Sequence, residues 1–177
     1  MDLIVTADSP DARQGWAAQG WASLGTQRFR CALGRGGIIA DKREGDGGTP
    51  VGAFPLRRLL VRTDKGPIPK TQLPITVIDE DDGWCDAPDD MAYNRAVALP
   101  YAASHERLWR DDHLYDLVLV IGHNDDPVVK GMGSAVFVHL AHDDYRPTEG
   151  CIAFARADME KILAAMGPGD RVVVERP

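Results

Sequence analysis

Apolar residues in this chain gather in short runs separated by glycine-rich turns. Runs at 3–6, 28–33, 54–61, 75–78, 115–121, 136–140 and 171–174 are rich in β-branched and aromatic residues and predict strands. Turn signals at 34–37, 45–50 and 131–133 punctuate them. One segment carries a helical period: over 156–166, Ala157, Met159, Ile162, Leu163 and Met166 are spaced to form an apolar face. Asp158 suits its first turn, and Gly167-Pro168 supplies a stop. A second short helix is expected over 104–110, with Leu108 and Trp109 packing on a sheet. The stretch 80–101 is polar and irregular and reads as a long loop that covers or lines a site. The pattern predicts a mainly β domain, two packed sheets with one or two short helices.

Length and charge narrow the picture. The 177 residues fit a single domain spanning 1–177. Acidic residues outnumber basic ones 27 to 20, for a net charge of -7, and no Lys/Arg block appears. Nucleic acid and anionic membrane surfaces are therefore poor partners. No apolar run approaches the ~18 residues of a membrane span. The opening MDLIVTADSP has Asp2 where a secretory leader carries positive charge, so no export signal is expected and the sequence points to the cytoplasm. Cys31, Cys85 and Cys151 form no CxxC pair, which argues against a zinc ribbon or a disulfide framework. Cys31 lies in an apolar stretch that suits the core; Cys85, between Trp84 and Asp86, is placed to face a site.

The chemistry concentrates in 135–153, AVFVHLAHDDYRPTEGCIA. His139 closes an apolar run and Cys151 follows twelve residues later. A free thiol has a pKa near ~8.5, and a neighbouring imidazole is the usual means of activating it. Period two along the strand puts His139 on one face with Ala135 and Phe137, opposite Val136, Val138 and Leu140. A lone cysteine beside glycine is also a common small core residue, so the pair needs further support.

That support comes from Thr49-Pro50-Val51-Gly52-Ala53-Phe54 and from His139, Thr148, Gly150 and Cys151. The chain resembles the L,D-transpeptidase family (YkuD-type catalytic domain), whose members carry Thr-Pro-x-Gly-x-Phe upstream and a His before Ser/Thr-x-Gly-Cys downstream. The resemblance runs from about residue 29 to 174. It is closest to a compact branch with Gly-Trp-Cys-Asp, Tyr-Asn-Arg and Leu-Trp-Arg elements, here at 83–86, 93–95 and 108–110. Glu149 stands where many members have His, and Ala153-Phe154 where an Arg commonly follows the cysteine.

The resemblance implies an L,D-transpeptidase-like β-sandwich and acyl transfer on peptidoglycan stem peptides. Cys151 would be the nucleophile and His139 the base, oriented by the Leu140 carbonyl; Asp143 or Asp144 is a carboxylate alternative for that role. Gly150 and Cys151 amides would stabilise the oxyanion, with Thr148 bracing the turn. A carboxylate-bearing donor calls for a guanidinium. Arg95 or Arg146 would supply it, and Trp84, Tyr93, His123 and Asn124 would line the wall. The Thr49–Phe54 motif would act through structure. No metal or other cofactor is called for, the protein is expected to be a monomer, and the family implies the cell envelope (periplasm). Three alternatives compete: an L,D-carboxypeptidase releasing D-Ala by hydrolysis, a metal-dependent hydrolase built on His139, His142, Asp143 and His123, and a non-catalytic wall-binding module.

Overall fold

The computed structural model describes residues 1–8 and 18–176. Its strands are β1 (Asp2–Ala7), β2 (Gln19–Leu24), β3 (Gln27–Ala32), β4 (Ile38–Ile39), β5 (Thr49–Pro50), β6 (Gly52–Val61) and β7 (Ile75–Val77). There follow β8 (Asp82–Cys85), β9 (Ala96–Ala98), β10 (His105–Arg107), β11 (Leu117–Ile121), β12 (Phe137–Leu140), β13 (Ile152–Phe154), helix α1 (Arg156–Ala165) and β14 (Arg171–Val174).

The large sheet runs β11-β12-β13-β3-β2-β1-β14-β6-β7, and β11 also pairs with β6. The sheet therefore closes on itself, so that its two halves face each other. Alternate residues from the strands of the ring point inward: Leu3 and Val5, Ala22 and Leu24, Phe29 and Cys31, Leu117, Leu119 and Ile121, Val138 and Leu140, Ile152 and Phe154, Val172 and Val174 share one apolar cluster. On β6 the inward set changes phase, from Phe54 and Leu56 to Leu59 and Val61. A register shift against Val120/Ile121 absorbs the extra residue, so the strand bends without turning its apolar side outward. The first and last strands lie side by side in parallel, residues 2–5 against 171–174.

The structure corrects several expectations. Over 104–110 a strand stands in place of the second helix: His105, Glu106 and Arg107 pair antiparallel with Cys85, Trp84 and Gly83. Tertiary pairing outweighs the helix-forming side chains there. Leu108 is buried as expected, and Trp109 packs beside it. The stretch 80–101 is not all loop, since β8 and β9 pair with each other and join β10 in a three-stranded sheet. In α1, Met159, Ile162 and Leu163 are buried, but Ala157 faces solvent. Strands β2 and β13 lie outside the predicted runs. No helix among the described residues is long and apolar enough to cross a membrane.

The three-stranded sheet covers the outer face of β11 and β12. There Trp84, Leu108, Tyr115, Val118, Val120, Phe137 and Cys151 form a second apolar cluster. Cys151 and His139 belong to this outer layer.

Candidate active site

Strands β12 and β13 run parallel, with Val138 opposite Ile152 and His139 opposite Ala153. Cys151 immediately precedes β13, so it lies level with Phe137 and diagonally across from His139 on the same face. Both residues line one cavity of about 1040 Å³, together with Lys42, Glu44, Glu106, Ser134 and Thr148. Both are largely buried, Cys151 8% and His139 6% exposed.

The loops that carry Cys151 are held by main-chain geometry. Gly150 has φ 132°, and a Cβ there would lie 2.8 Å from the Gly48 carbonyl oxygen, so only glycine fits. Thr148 Oγ1 donates to the Cys151 carbonyl at 2.7 Å and accepts from the Gly150 N–H at 3.2 Å. Thr148 also pairs with the segment after β3, its N–H donating to the Leu33 carbonyl and its carbonyl accepting from the Arg35 N–H. The upstream motif supports that segment in turn: buried Thr49 accepts the Gly34 N–H on its Oγ1 at 2.8 Å. Lys42 and Asp46 clasp each other, and Asp46 accepts the Gly48 N–H at 2.8 Å.

The thiol lies against the start of β12. Its Sγ accepts the Phe137 N–H at 3.3 Å and donates to the Ala135 carbonyl at 3.2 Å. Ala135 sits at φ 50°, an uncommon conformation for a residue with a Cβ. Asn94 holds it there, its Oδ1 accepting from both the Ala135 N–H and Trp84 Nε1 at 3.0 Å. The Asn94 Nδ2 donates to the His123 and Asn124 carbonyls. Asn94 therefore ties the Trp84 strand and the 123–124 loop to Ala135, the residue whose carbonyl accepts the thiol's hydrogen bond, a role its place between Tyr93 and Arg95 did not announce.

His139 bonds through Nδ1 to the Leu140 carbonyl at 2.8 Å. A carbonyl only accepts, so Nδ1 carries the proton and Nε2 keeps its lone pair. Neither Asp143 nor Asp144 bonds the ring; Asp144 accepts the Arg146 N–H instead. The Tyr115 ring meets the imidazole edge-on, centroids 5.2 Å apart. Burial lowers the His139 pKa to about 4. Burial, reinforced by the charge of Glu106, raises Cys151 to about 12, against smaller opposing effects of the Phe137 N–H and Lys42. The two groups therefore stand as neutral thiol and neutral imidazole.

Of the residues singled out in the sequence, Cys151, His139, Thr148 and Gly150 line the cavity, while Trp84, Tyr93, Arg95, His123, Asn124 and Arg146 do not. Trp84 packs edge-on against Phe137 and is bonded to Asn94. Tyr93 is buried, its hydroxyl given to Glu44. Arg95 donates to the Asp125 carbonyl at 3.0 Å. His123 Nε2 faces the Met132 carbonyl, and Asn124 closes its own loop on Val129 and Gly133. Arg146 reaches His142, which lines the cavity, without joining the wall itself. Cys31 is sealed in the interior cluster, and Cys85 is buried in β8 outside the cavity wall. Among the described residues no three His, Cys, Asp or Glu side chains converge as a metal-binding set. Glu106, Arg107 and Arg110, which do line the cavity, were not legible as wall residues, because the segment that carries them was read as a helix; Asp86, also on the wall, lies in the stretch 80–101 expected to cover or line a site.

The chain matches the family model of the L,D-transpeptidase catalytic domain (YkuD) over residues 3–174. No curated protein sequence gives a match. Among solved structures it is similar to L,D-transpeptidase 1 of Mycobacterium tuberculosis, at 17% identity and a TM-score of 0.39, over 98% of this chain and 61% of that chain. The chain thus spans about three fifths of that neighbour's length. With the family match running through nearly all of its residues, from before β1's midpoint to the end of β14, the protein belongs to the L,D-transpeptidase (YkuD) family.

Proposed function

We propose that the protein is a cysteine-dependent acyltransferase that acts on peptidoglycan stem peptides. What carries the reading is the placement of Cys151 and His139 on one face of adjacent parallel strands, opening into the same cavity. Its donor is a stem tetrapeptide, cleaved between the diamino acid at its third position and the terminal D-Ala.

The protonation states of the two groups support one order of events. A thiol raised to about 12 is not ionised at neutral pH, so proton transfer accompanies attack and does not precede it. Sγ leaves its hydrogen bond with Ala135, rotates toward His139, and attacks the donor carbonyl as Nε2 takes the proton. The oxyanion is met by the Cys151 N–H, since the Gly150 N–H is already given to Thr148. On collapse, the C–N bond breaks and His139 returns the proton to the departing D-Ala amine, leaving a thioester. An acceptor amine attacks the thioester carbonyl as His139 takes its proton; the C–S bond then breaks and His139 passes that proton to the departing Sγ, restoring the thiol and leaving the new amide. Water in place of that amine yields a tripeptide, the carboxypeptidase outcome. Arg107, exposed on β10 and without an ion pair among the described residues, takes the carboxylate contact first assigned to Arg95 or Arg146. By family the compartment is the cell envelope.

The test is mass spectrometry of tetrapeptide muropeptides incubated with the protein and with Cys151→Ala. Cross-linked dimers or tripeptides made only by the unchanged protein are expected, along with a covalent carbapenem adduct on Cys151. A Cys151→Ala variant that still turns over the peptides would sink the proposal.

A further inference from the structure

The oxyanion of the acylation step has one main-chain donor, the Cys151 N–H, because Thr148 already takes the Gly150 N–H at 3.2 Å. Sites that stabilise a tetrahedral intermediate generally aim more than one fixed donor at that charge, from backbone or side chain. A side chain stands beside the same turn. Lys42 lines the cavity with Cys151 and Gly150, and its side chain is 7% exposed, deep burial for a lysine.

Two glycines make room for it. A Cβ at Gly133, where φ is 92°, would lie 2.9 Å from Lys42 Cε and 3.1 Å from Cγ, and one at Gly150 would lie 3.7 Å from Nζ. The stem therefore runs past Gly133 and delivers the ammonium beside Gly150, the residue immediately before the nucleophile. Nζ donates to the Arg43 carbonyl at 3.0 Å and to Asp46. An ammonium carries three N–H bonds, so one is left over. Asp46 is itself fixed by the Arg43 N–H at 2.6 Å and the Gly48 N–H at 2.8 Å, and the Gly48 carbonyl is the group packed against Gly150. The cation is thus held in one frame with the turn that carries the nucleophile, and its charge favours the ionised form of the Cys151 thiol.

We infer that Lys42 is a further catalytic residue whose remaining N–H, together with the Cys151 N–H, receives the oxyanion of the tetrahedral intermediate. This rests on the acyl-transfer reading of Cys151. As the bond from Sγ to the carbonyl carbon forms and His139 takes the thiol proton, the carbonyl π pair moves onto oxygen beside the ammonium. On collapse that pair returns and the C–N bond breaks. Lys42 keeps its proton in both steps, so its part is electrostatic and distinct from that of His139. In the resting cavity Asp46 balances the charge, which lets a buried ammonium wait for an anion.

The experiment pairs two reactions of Cys151, each timed by intact-protein mass spectrometry. One is acylation by a tetrapeptide donor over a range of concentrations; the other is alkylation by iodoacetamide, which displaces iodide at a saturated carbon and forms no oxyanion. Lys42→Met is expected to lower the acylation rate at saturating donor about 10²- to 10³-fold, the usual loss of one oxyanion donor, with little change in the half-saturating concentration. Alkylation should fall far less, since it loses only the influence of the ammonium on the thiol. Asp46→Asn, which keeps an acceptor for the Gly48 N–H but removes the ion pair, should acylate at a rate much closer to that of the unchanged protein. Parallel loss of acylation and alkylation in Lys42→Met, or equal loss of acylation in the two variants, would overturn the assignment and reduce Lys42 to support of the loop. An acylation rate left intact by Lys42→Met would overturn it as well. No thioester on the unchanged protein, with alkylation normal, would instead remove the acyl-transfer reading itself. Should Lys42→Met fail to fold, Lys42→Gln, which retains an N–H for Asp46, carries the same comparison, and the same split between the two reactions decides it.

Discussion

The two faces of β11 and β12 carry different kinds of core. Inward, Leu117, Leu119, Ile121, Val138 and Leu140 meet only apolar partners inside the closed sheet. Outward, Val118, Val120 and Phe137 share their layer with Trp84, Tyr115 and Cys151, and the same face carries His139. Both layers are buried, but the outer one holds side chains that need hydrogen-bond partners, and Asn94, Leu140 and Ala135 supply them from fixed backbone or a fixed amide. The inner layer is tied to stability, and the outer one spends burial on setting protonation states. Period-two alternation separates the two tasks on one pair of strands.

If that division holds, variants on the two faces should fail in different ways. The largest effect is expected from His139→Ala, which should slow thioester formation about 10²- to 10⁴-fold, the usual contribution of a general base. Urea unfolding of that variant should show no comparable loss; a large fall in midpoint would mean that the outer layer carries the fold as well. Leu119→Ala, on the opposite face, should cost about 2–5 kcal/mol in the same measurement, as buried leucines do. Its acylation rate per folded molecule should be kept, and a selective loss of rate would join the two layers.

The smallest effect expected is a pH dependence. His139 has a folded pKa of about 4, below its ordinary 6.5, so the unfolded chain binds the additional proton. The stability it contributes is whole above pH 6.5, declines as pH falls toward 4, and is constant below that. The decline amounts to roughly 3 kcal/mol. His139→Ala should reduce this acid limb, leaving what His123 and His142 contribute, which burial shifts in the same direction. An unchanged limb in the variant would show that His139 is not held neutral.

Much of this was legible in the chain and some was not, for physical reasons. The strands of the closed sheet announced themselves where β-branched residues cluster in short runs, as in 117–121 and 171–174. Strand β2, with Gly20, Ala22 and Ser23, has too little apolar contrast for its period to show; its place follows from pairing with β1 and β3. His139 and Cys151 were readable because the sequence spacing of His and Gly-Cys reflects two neighbouring strands. The residues around them were harder. Asn94 looks like any polar loop residue, and only the meeting of Trp84, Ala135 and the 123–124 loop gives its amide four partners. The neighbouring Tyr93 and Arg95, which seemed the better ligands, turn to Glu44 and the Asp125 carbonyl. Glu106 was hidden for another reason: SHERLWR favours a helix locally, and its pairing with β8 depends on residues some twenty positions away.

The parallel contact between β1 and β14 bears on how the molecule comes into being. Because residues 2–5 take their partner from 171–174, the ring of strands remains open on the ribosome until nearly all of the described chain has emerged. Pairings of such long sequence separation must overcome loop-closure entropy before burial rewards them. Refolding on the ~millisecond-to-second scale of non-local β topologies is the expected pace. During that interval the cysteine-bearing loop, whose support comes from Gly34, Gly48 and Thr49, has no finished scaffold. Catalytic competence should therefore appear late, as a property of the closed ring and not of its parts.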